Sequence, residues 1–278
     1  MKLVSATVIA KGKPIRGLNR PHGRSIRFSQ TISLKCPEIA REAKPGQFVM
    51  VRCGDECVLP RPFSIHQVND NGDVSLYFAV LESGKGTHWL SQREAGDSVQ
   101  LFGPLGNGFF VESTSRNLLL VAGGMGVASL FFLAEEAFKK ELSVTIMYGT
   151  AIKNPYPLDH LTPGIKKFIA TEDGSAGNKG KVTDFLPDYI DRADQVFACG
   201  PMPMYRDMAV QKPKLKLEGK PVQISLEVRM GCGLGVCYGC TVKTKKGLKQ
   251  VCKDGPVFNL EDILWDELNL AAGGNKPW

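Results

Sequence analysis

The sequence predicts a multi-domain β plus α/β protein. It divides into an antiparallel β-barrel over residues 1–113, a doubly wound parallel sheet over 114–215, and a small C-terminal domain over 216–278. Three observations predict this order. Short β-like runs separated by turn residues fill the first zone, strand-like and helix-like runs alternate in the second, and four cysteines crowd into the third.

In the first zone, Leu3 to Ala10 reads as a strand. It is too poorly followed by a small-residue cleavage site, ending in Lys11-Gly12-Lys13, to read as a signal peptide. Gln47 to Val51 and Val74 to Val80 are further β-like runs, punctuated by Gly-Asp, Asn-Gly and Pro-Gly. In the second zone, strands are predicted at Asn117 to Ala122, Ser143 to Tyr148, Lys167 to Thr171 and Gln195 to Ala198. Helices are predicted at Val127 to Lys140 and Met202 to Val210, with a helix start at Val182 to Leu186. Residues 211–222 lack apolar periodicity and read as a linker. Beyond them come a short run from Val222 to Val228, the cysteine segment, an amphipathic stretch from Leu260 to Leu268, and a mobile Gly-Gly-Asn-Lys-Pro tail.

Composition excludes several classes. The chain has 278 residues and a formal charge of +7 (35 basic minus 28 acidic), a mild excess without a nucleic-acid arm. The densest basic stretch, Lys243 to Lys249, is short and reads as a solvated loop. Leu118 to Ala134 is uncharged, but Gly123, Gly124 and Gly126 interrupt it, so a strand, a turn and a helix explain it better than a membrane span. A cytoplasmic chain is expected, and its eight cysteines are then thiols or metal ligands, not disulfides.

Cys232-x4-Cys237-x2-Cys240-x11-Cys252 has the plant-type [2Fe–2S] spacing. A cluster needs four thiolates converging on two irons. Gly231, Gly233, Gly235 and Gly239 let the loop fold tightly and bring backbone N–H groups to the sulfurs. Structural zinc, which favours two close ligand pairs, and unligated thiols are the competing readings. Cys36, Cys53 and Cys57 lie outside this pattern and read as buried thiols.

Arg61-Pro62-Phe63-Ser64 suits a flavin: Arg61 for a diphosphate, Phe63 to pack on a flat ring, Ser64 to hydrogen-bond its polar edge. The strand ending at Ala79-Val80-Leu81 runs into Gly84-Lys85-Gly86-Thr87 and a helix expected from His88. There, Gly86, the Thr87 hydroxyl and the helix start offer an anion site for the same diphosphate. Gly103 to Gly108 closes the zone with a tight turn. Singly, each piece is also an ordinary barrel turn.

Gly123, Gly124 and Gly126 form a strand-to-helix turn of the kind that binds pyrophosphate, though not a full G-x-G-x-x-G. Cys199-Gly200-Pro201 follows another strand of the same sheet, at its carboxyl edge. The Cys199 thiol there either touches a nicotinamide or is a buried structural cysteine. Glu172-Asp173 is either a ribose-binding acidic pair favouring NAD or a solvated turn.

In this order the motifs resemble the ferredoxin reductase superfamily across most of residues 1–210. The segments from Glu227 to Cys240 and from Cys252 to Phe258 resemble the electron-transfer subunits of class 1B dihydroorotate dehydrogenases. The 11-residue gap before Cys252 is too compact for a complete plant-type ferredoxin, which ends the reductases of ring-hydroxylating oxygenases. The resemblance implies FAD, a [2Fe–2S] cluster and NAD as cofactors. It further implies electron passage from an FMN-containing dihydroorotate dehydrogenase catalytic subunit, in a heterotetramer of two of each, within pyrimidine biosynthesis. It places Cys199 beside the hydride path. Related subunits of a hydrogenase, a sulfide dehydrogenase or a ferredoxin–NADP reductase complex share the module order. One departure stands out: Ala128-Ser129 occupies a place where many superfamily members carry proline.

Overall fold

The computed structural model describes residues 1–16, 25–153, 156 and 158–268. The tail expected to be mobile lies outside the described residues.

The first zone folds into β1 (Lys2–Lys11), β2 (Ile26–Lys35), a one-turn helix α1 (Pro37–Ala40), β3 (Phe48–Val51), β4 (Arg61–Val68), β5 (Asp73–Leu81), helix α2 (Lys85–Ser91) and β6 (Ser98–Leu105). The strands close into an antiparallel barrel in the order β1-β2-β5-β4-β3-β6. Alternation explains the closure. Along β6, Val99, Leu101, Gly103 and Leu105 are buried while their neighbours are not, so one face feeds the interior and the other meets its surroundings. Phe132, from the following domain, also packs into this core.

The second zone contains β7 (Asn117–Gly123), α3 (Val127–Lys139), β8 (Ser143–Thr150), β9 (Lys166–Thr171), β10 (Asn178–Lys179), α4 (Leu186–Tyr189), β11 (Gln195–Cys199), α5 (Met202–Val210) and β12 (Val222–Ser225). The sheet order is β10-β9-β8-β7-β11-β12-β15, where β15 spans Val257–Asn259. β7 to β12 pair in parallel, and β15 alone runs antiparallel. β7 and β11 are almost wholly apolar and buried, as strands covered on both faces must be. The chain leaves β7 in one direction toward β8 and returns to its other side at β11, which is the doubly wound arrangement predicted.

The third zone adds a hairpin, β13 (Thr241–Thr244) with β14 (Gly247–Gln250), and a one-turn helix, α6 (Val251–Asp254). The basic stretch read as a loop is thus mostly this hairpin. β12 and β15 belong to the parallel sheet, so the sheet draws strands from beyond position 215. Residues 211–220 are not a free linker, because Leu215 and Leu217 are buried beneath the sheet. Leu260 to Leu268 forms a 3-10 turn and irregular chain, with Leu260, Ile263 and Leu268 in the same core.

The barrel is held on the sheet by polar side chains. The buried Gln195 donates to the Phe110 carbonyl at 2.8 Å and accepts from the Glu112 N–H. Gln223 also donates to the Phe110 carbonyl, at 2.7 Å. On the other side of the seam, His66 Nδ1 donates to the Ala128 carbonyl at 2.9 Å. No helix among the described residues is long and apolar enough to cross a membrane.

Candidate functional site: two loops at a sheet switch point and a paired-thiol loop

β7 and β11 lie side by side, and their carboxyl ends carry the two glycine motifs. Ligands of open α/β sheets bind at such a switch point. The two loops press on each other. A Cβ on Gly126 would stand 2.0 Å from the Cys199 carbonyl oxygen, so only glycine permits this approach. Gly123 meets Pro201 and Met204 in the same way, and Gly200 meets Gly123. Gly124 differs: its φ is +54° and nothing lies within 4 Å of its Cβ position, so its backbone borders open space.

Cys199 is fully buried, contrary to a thiol lying free beside a ligand. Burial pushes its thiol up to about 12, as does the Glu227 charge, against hydrogen bonds with Ser129, Tyr205 and Ser225. It is a neutral group beneath the crevice floor, because β11 is covered on both faces. Tyr205 locks the same loop, accepting from the Gly200 N–H and donating to the Ser225 carbonyl.

In the barrel, Arg61 lies against the start of α2. The Cβ position of Gly86 is 3.0 Å from Arg61 Cγ and 3.3 Å from Nε. One guanidinium N–H donates to the Leu59 carbonyl, and no carboxylate among the described residues pairs with it. A guanidinium without a carboxylate partner keeps N–H groups free for an anion such as a diphosphate. Pro62 and Ser64 are half-buried on the outer side of β4. The Phe63 ring, expected to cover a flat ligand, is instead only 7% exposed and meets Phe78 edge-to-face at 5.6 Å. Strand alternation sends it into the barrel. Val80 likewise points inward, while Ala79 and Leu81 remain half-buried. α2 begins at Lys85, not His88, and spans only seven residues. The Thr87 hydroxyl donates to the Gly84 carbonyl and accepts from the Leu81 N–H, so it ties the turn to β5 and is not presented to an anion.

Ser129, noted in sequence only as a departure, joins the two halves. Its hydroxyl donates to the Ser64 hydroxyl at 3.0 Å, and it is one of the polar side chains that lower the buried Cys199 thiol. Ser64 of the barrel and Cys199 of the sheet are therefore one residue apart in space, across the first turn of α3. At the end of β9, the Asp173 carboxylate is held below its usual range by hydrogen bonds from Ser175, leaving Glu172 exposed at the crevice edge.

The four predicted metal-ligand cysteines share one loop region. Among the described residues, no three His, Cys, Asp or Glu side chains gather as a mononuclear metal site requires. The thiols instead lie in two pairs. Cys237 acts on the Cys232 thiol and Cys240 on that of Cys252, whose N–H donates to Cys240 Sγ at 3.5 Å. Two adjacent pairs fit two irons better than one tetrahedral zinc. Backbone N–H groups point at the sulfurs as expected: Leu234 to Cys232 at 3.3 Å and Gly235 to Cys252 at 3.1 Å. Although burial raises it, donors including Leu234, Cys237 and Val236 bring the Cys232 thiol down to about 6. Burial first, and then Cys240, push Cys252 up to about 12, against the Gly235 N–H. Positive φ falls on Gly233, Gly235 and, unexpectedly, Tyr238 in place of Gly239. Cys237 is exposed, and Cys36, Cys53 and Cys57 are buried thiols, with Cys53 pushed up to about 12 by burial and by Cys57.

Known proteins with these features fall into one class. Residues 24–110 match the oxidoreductase FAD-binding domain, and residues 227–264 match the iron-sulfur cluster binding domain of dihydroorotate dehydrogenase B. The chain is similar to a solved structure of NADH-dependent reduced ferredoxin-NADP oxidoreductase. That match has a TM-score of 0.80 and 29% identity, covering 95% of this chain and 91% of the other. The ferredoxin reductase of carbazole 1,9a-dioxygenase shares the fold, with a TM-score of 0.56 at 21% identity over 80% of this chain and 68% of that one. Fold and site define a ferredoxin-reductase-like flavin and iron–sulfur oxidoreductase subunit.

Among curated relatives, the dihydroorotate dehydrogenase B (NAD(+)) electron transfer subunit of Desulforamulus reducens is 38% identical, over 83% of this chain and 90% of its own length. That of Clostridium acetobutylicum is 40% identical, over 81% and 88%. The chain belongs to the family of dihydroorotate dehydrogenase B electron transfer subunits.

Proposed function

We propose that this chain carries electrons between the FMN of a dihydroorotate dehydrogenase catalytic subunit and NAD, in pyrimidine biosynthesis. The observation that carries this reading is the Ser64–Ser129 hydrogen bond, made across the first turn of α3 where Gly126 meets the Cys199 carbonyl, which brings the flavin motif of the barrel onto the nucleotide motif of the sheet. When bound, FAD supplies hydride exchange with NAD and single-electron exchange with the [2Fe–2S] cluster.

This chain's residues divide the binding work. Arg61, with Gly86 and Thr87 shaping the turn beside it, holds the FAD diphosphate. Pro62 and Ser64 border the flavin, with Ala79 and Leu81 on the neighbouring strand, while Phe63 and Val80 support the wall from inside the barrel. Gly124 opens the NAD pyrophosphate site, and Gly123, Gly126, Gly200 and Pro201 shape its floor. Cys199 lies under that floor as a neutral thiol, and Glu172 faces the ribose. Cys232, Cys237, Cys240 and Cys252 hold the cluster. These roles follow the three-part division at about residues 113 and 215, with β12 and β15 of the third part lent to the sheet of the second.

The partner docks over the cluster. Val58, Leu59, Leu234, Val236 and Tyr238 are exposed apolar side chains around the exposed Cys237, and Leu59 lies 3.9 Å from the Cβ position of Gly231. Such a patch marks a protein interface. We place two copies of each subunit in the complex, in the cytoplasm. A second reading, a subunit of a ferredoxin–NADP reductase complex, is favoured by the similarity in fold to the solved oxidoreductase.

Copurification with a catalytic subunit, followed by a dihydroorotate-to-NAD assay and a count of iron and acid-labile sulfide, separates these. Turnover with NAD in the reconstituted pair supports the first reading. Transfer confined to NADP and ferredoxin supports the second, and a colourless chain without sulfide defeats both.

A further inference from the structure

The cluster loop touches the barrel at both of its ends. At its start, the Cβ position of Gly233 is 2.6 Å from Met50 Cγ of β3 and 3.4 Å from Leu105 Cδ1 of β6. At its finish, the turn after β6 grips the segment following Cys252. The Asn107 N–H donates to the Gly255 carbonyl at 2.7 Å. Its side-chain amide donates to the Asp254 carbonyl at 3.2 Å and to the Val257 carbonyl at 2.8 Å, and its Oδ1 accepts from the Val257 N–H at 3.1 Å. Gly106, beside it, approaches so closely that a Cβ would stand 2.6 Å from the Gly255 carbonyl oxygen.

One exposed side chain thus satisfies three backbone groups that lie far along the chain. An asparagine amide alone offers both donors and the acceptor in this plane. Backbone groups bound this way lose the freedom to open locally. Met50 and Leu105 fix the loop from the apolar side, and Asn107 fixes it from the polar side.

We propose that Asn107 is a positioning residue, which clamps the Cys252 arm of the cluster loop to the flavin barrel and so sets the separation of the two electron carriers. Its hydrogen bonds reach Asp254, Gly255 and Val257, and none of the residues assigned to the flavin or the cluster. The inference rests on the cluster and flavin reading above. Its consequence is that the register of residues 252–257 is dictated by the barrel and not by the cluster lobe alone.

Asn107→Ala removes the three side-chain bonds and keeps the backbone one; Asn107→Asp keeps only the acceptor among the three. Asn107 is exposed, so neither opens a core cavity. Both are compared with the wild type as full-length, cofactor-loaded chain. Hydrogen exchange reports the 253–259 amides, electron paramagnetic resonance reports the reduced cluster, and stopped-flow separates flavin reduction by NADH from the later reduction of the cluster.

The expected result for Asn107→Ala is exchange about tenfold faster over 253–259, a broadened cluster signal and slower cluster reduction. Flavin reduction and barrel exchange stay at wild-type values, and Asn107→Asp, which sets a carboxylate oxygen against the Asp254 and Val257 carbonyls, loosens 253–259 at least as much as Asn107→Ala. Variants that match the wild type in exchange and signal overturn the clamp, as does loosening spread evenly over the barrel. A wild-type chain without acid-labile sulfide defeats the functional reading instead, and the exchange comparison still judges the clamp.

Discussion

His66 shows how much a single side chain can report about the seam between barrel and sheet. Burial holds its imidazole down to about 4 from an ordinary 6.5, against the raising effect of its bond to Ala128 and with a smaller lowering from His160. Tyr77 and Phe131 flank the ring at 5.7 and 4.6 Å. Above pH 6.5 the ring is neutral both folded and unfolded, so it does not tilt the balance. As pH falls from 6.5 toward 4, only the unfolded chain takes up the proton. Stability is therefore lost across that window, by on the order of 3 kcal/mol from this group. Urea midpoints between pH 7.5 and 4.5 should fall more steeply in the wild type than in His66→Phe; equal slopes would remove His66 from the account. Cys237 makes the second residue-scale prediction. Cys237→Ser should abolish dihydroorotate-to-NAD turnover while NADH still bleaches the flavin, and full turnover in the variant would break the assigned relay. The cysteine spacing singled this residue out in sequence. Phe63 and Thr87 were legible only as types, because the motif does not say which way a strand turns one ring or which carbonyl takes one hydroxyl. Ser129 carried no local signal at all: its use depends on Ser64, far back in the chain.

At the scale of elements, the β7–α3 unit was the most readable. A fully apolar run, a glycine turn and a 3.6-residue periodicity give its limits almost residue for residue, ending at Lys139. What that periodicity does not disclose is why Gly126 must be glycine. The turn was read for phosphate binding, yet Gly126 is required because β11 delivers the Cys199 carbonyl against it. The obstacle is backbone on a buried strand, which cannot rotate away. Gly126→Ala should cost about 3 kcal/mol and lower Tm by roughly 5–10 °C, measured by calorimetry of the full chain. An alanine variant as stable as the wild type would show that the two loops do not meet. β12 was grouped with the C-terminal domain, ahead of the cysteine segment, for a related reason. Its four residues look alike in a sheet centre or in a small domain, and only pairing with β11 decides between them.

At the scale of the molecule, the order of the three modules was visible in motif order, but the way they share surfaces was not. One apolar core runs from Met50 and Leu105 of the barrel, through Val121 and Ala198 of the sheet, to Val242 and Cys252 of the cluster lobe. Contacts of this kind join residues more than a hundred positions apart and leave no periodic trace. Outside this core, the exposed apolar ring around Cys237 is unusual for a surface facing water. Val236→Asp, at a side chain 71% exposed, should leave the isolated chain intact and weaken its association with the catalytic subunit by about tenfold or more. Titration calorimetry measures this, and unchanged affinity would move the interface elsewhere.

The pairing of β12 with β15 has a mechanical consequence. Residues 226–256 leave the sheet from one strand and come back to it on the next, and Leu226 is bonded to Pro256 across the neck. A lobe hung from one strand swings like a door, whereas one hung from two is a bracket. The cluster loop is thus tied to the sheet at its departure and at its return, and opening the lobe would first have to break the β12–β15 ladder.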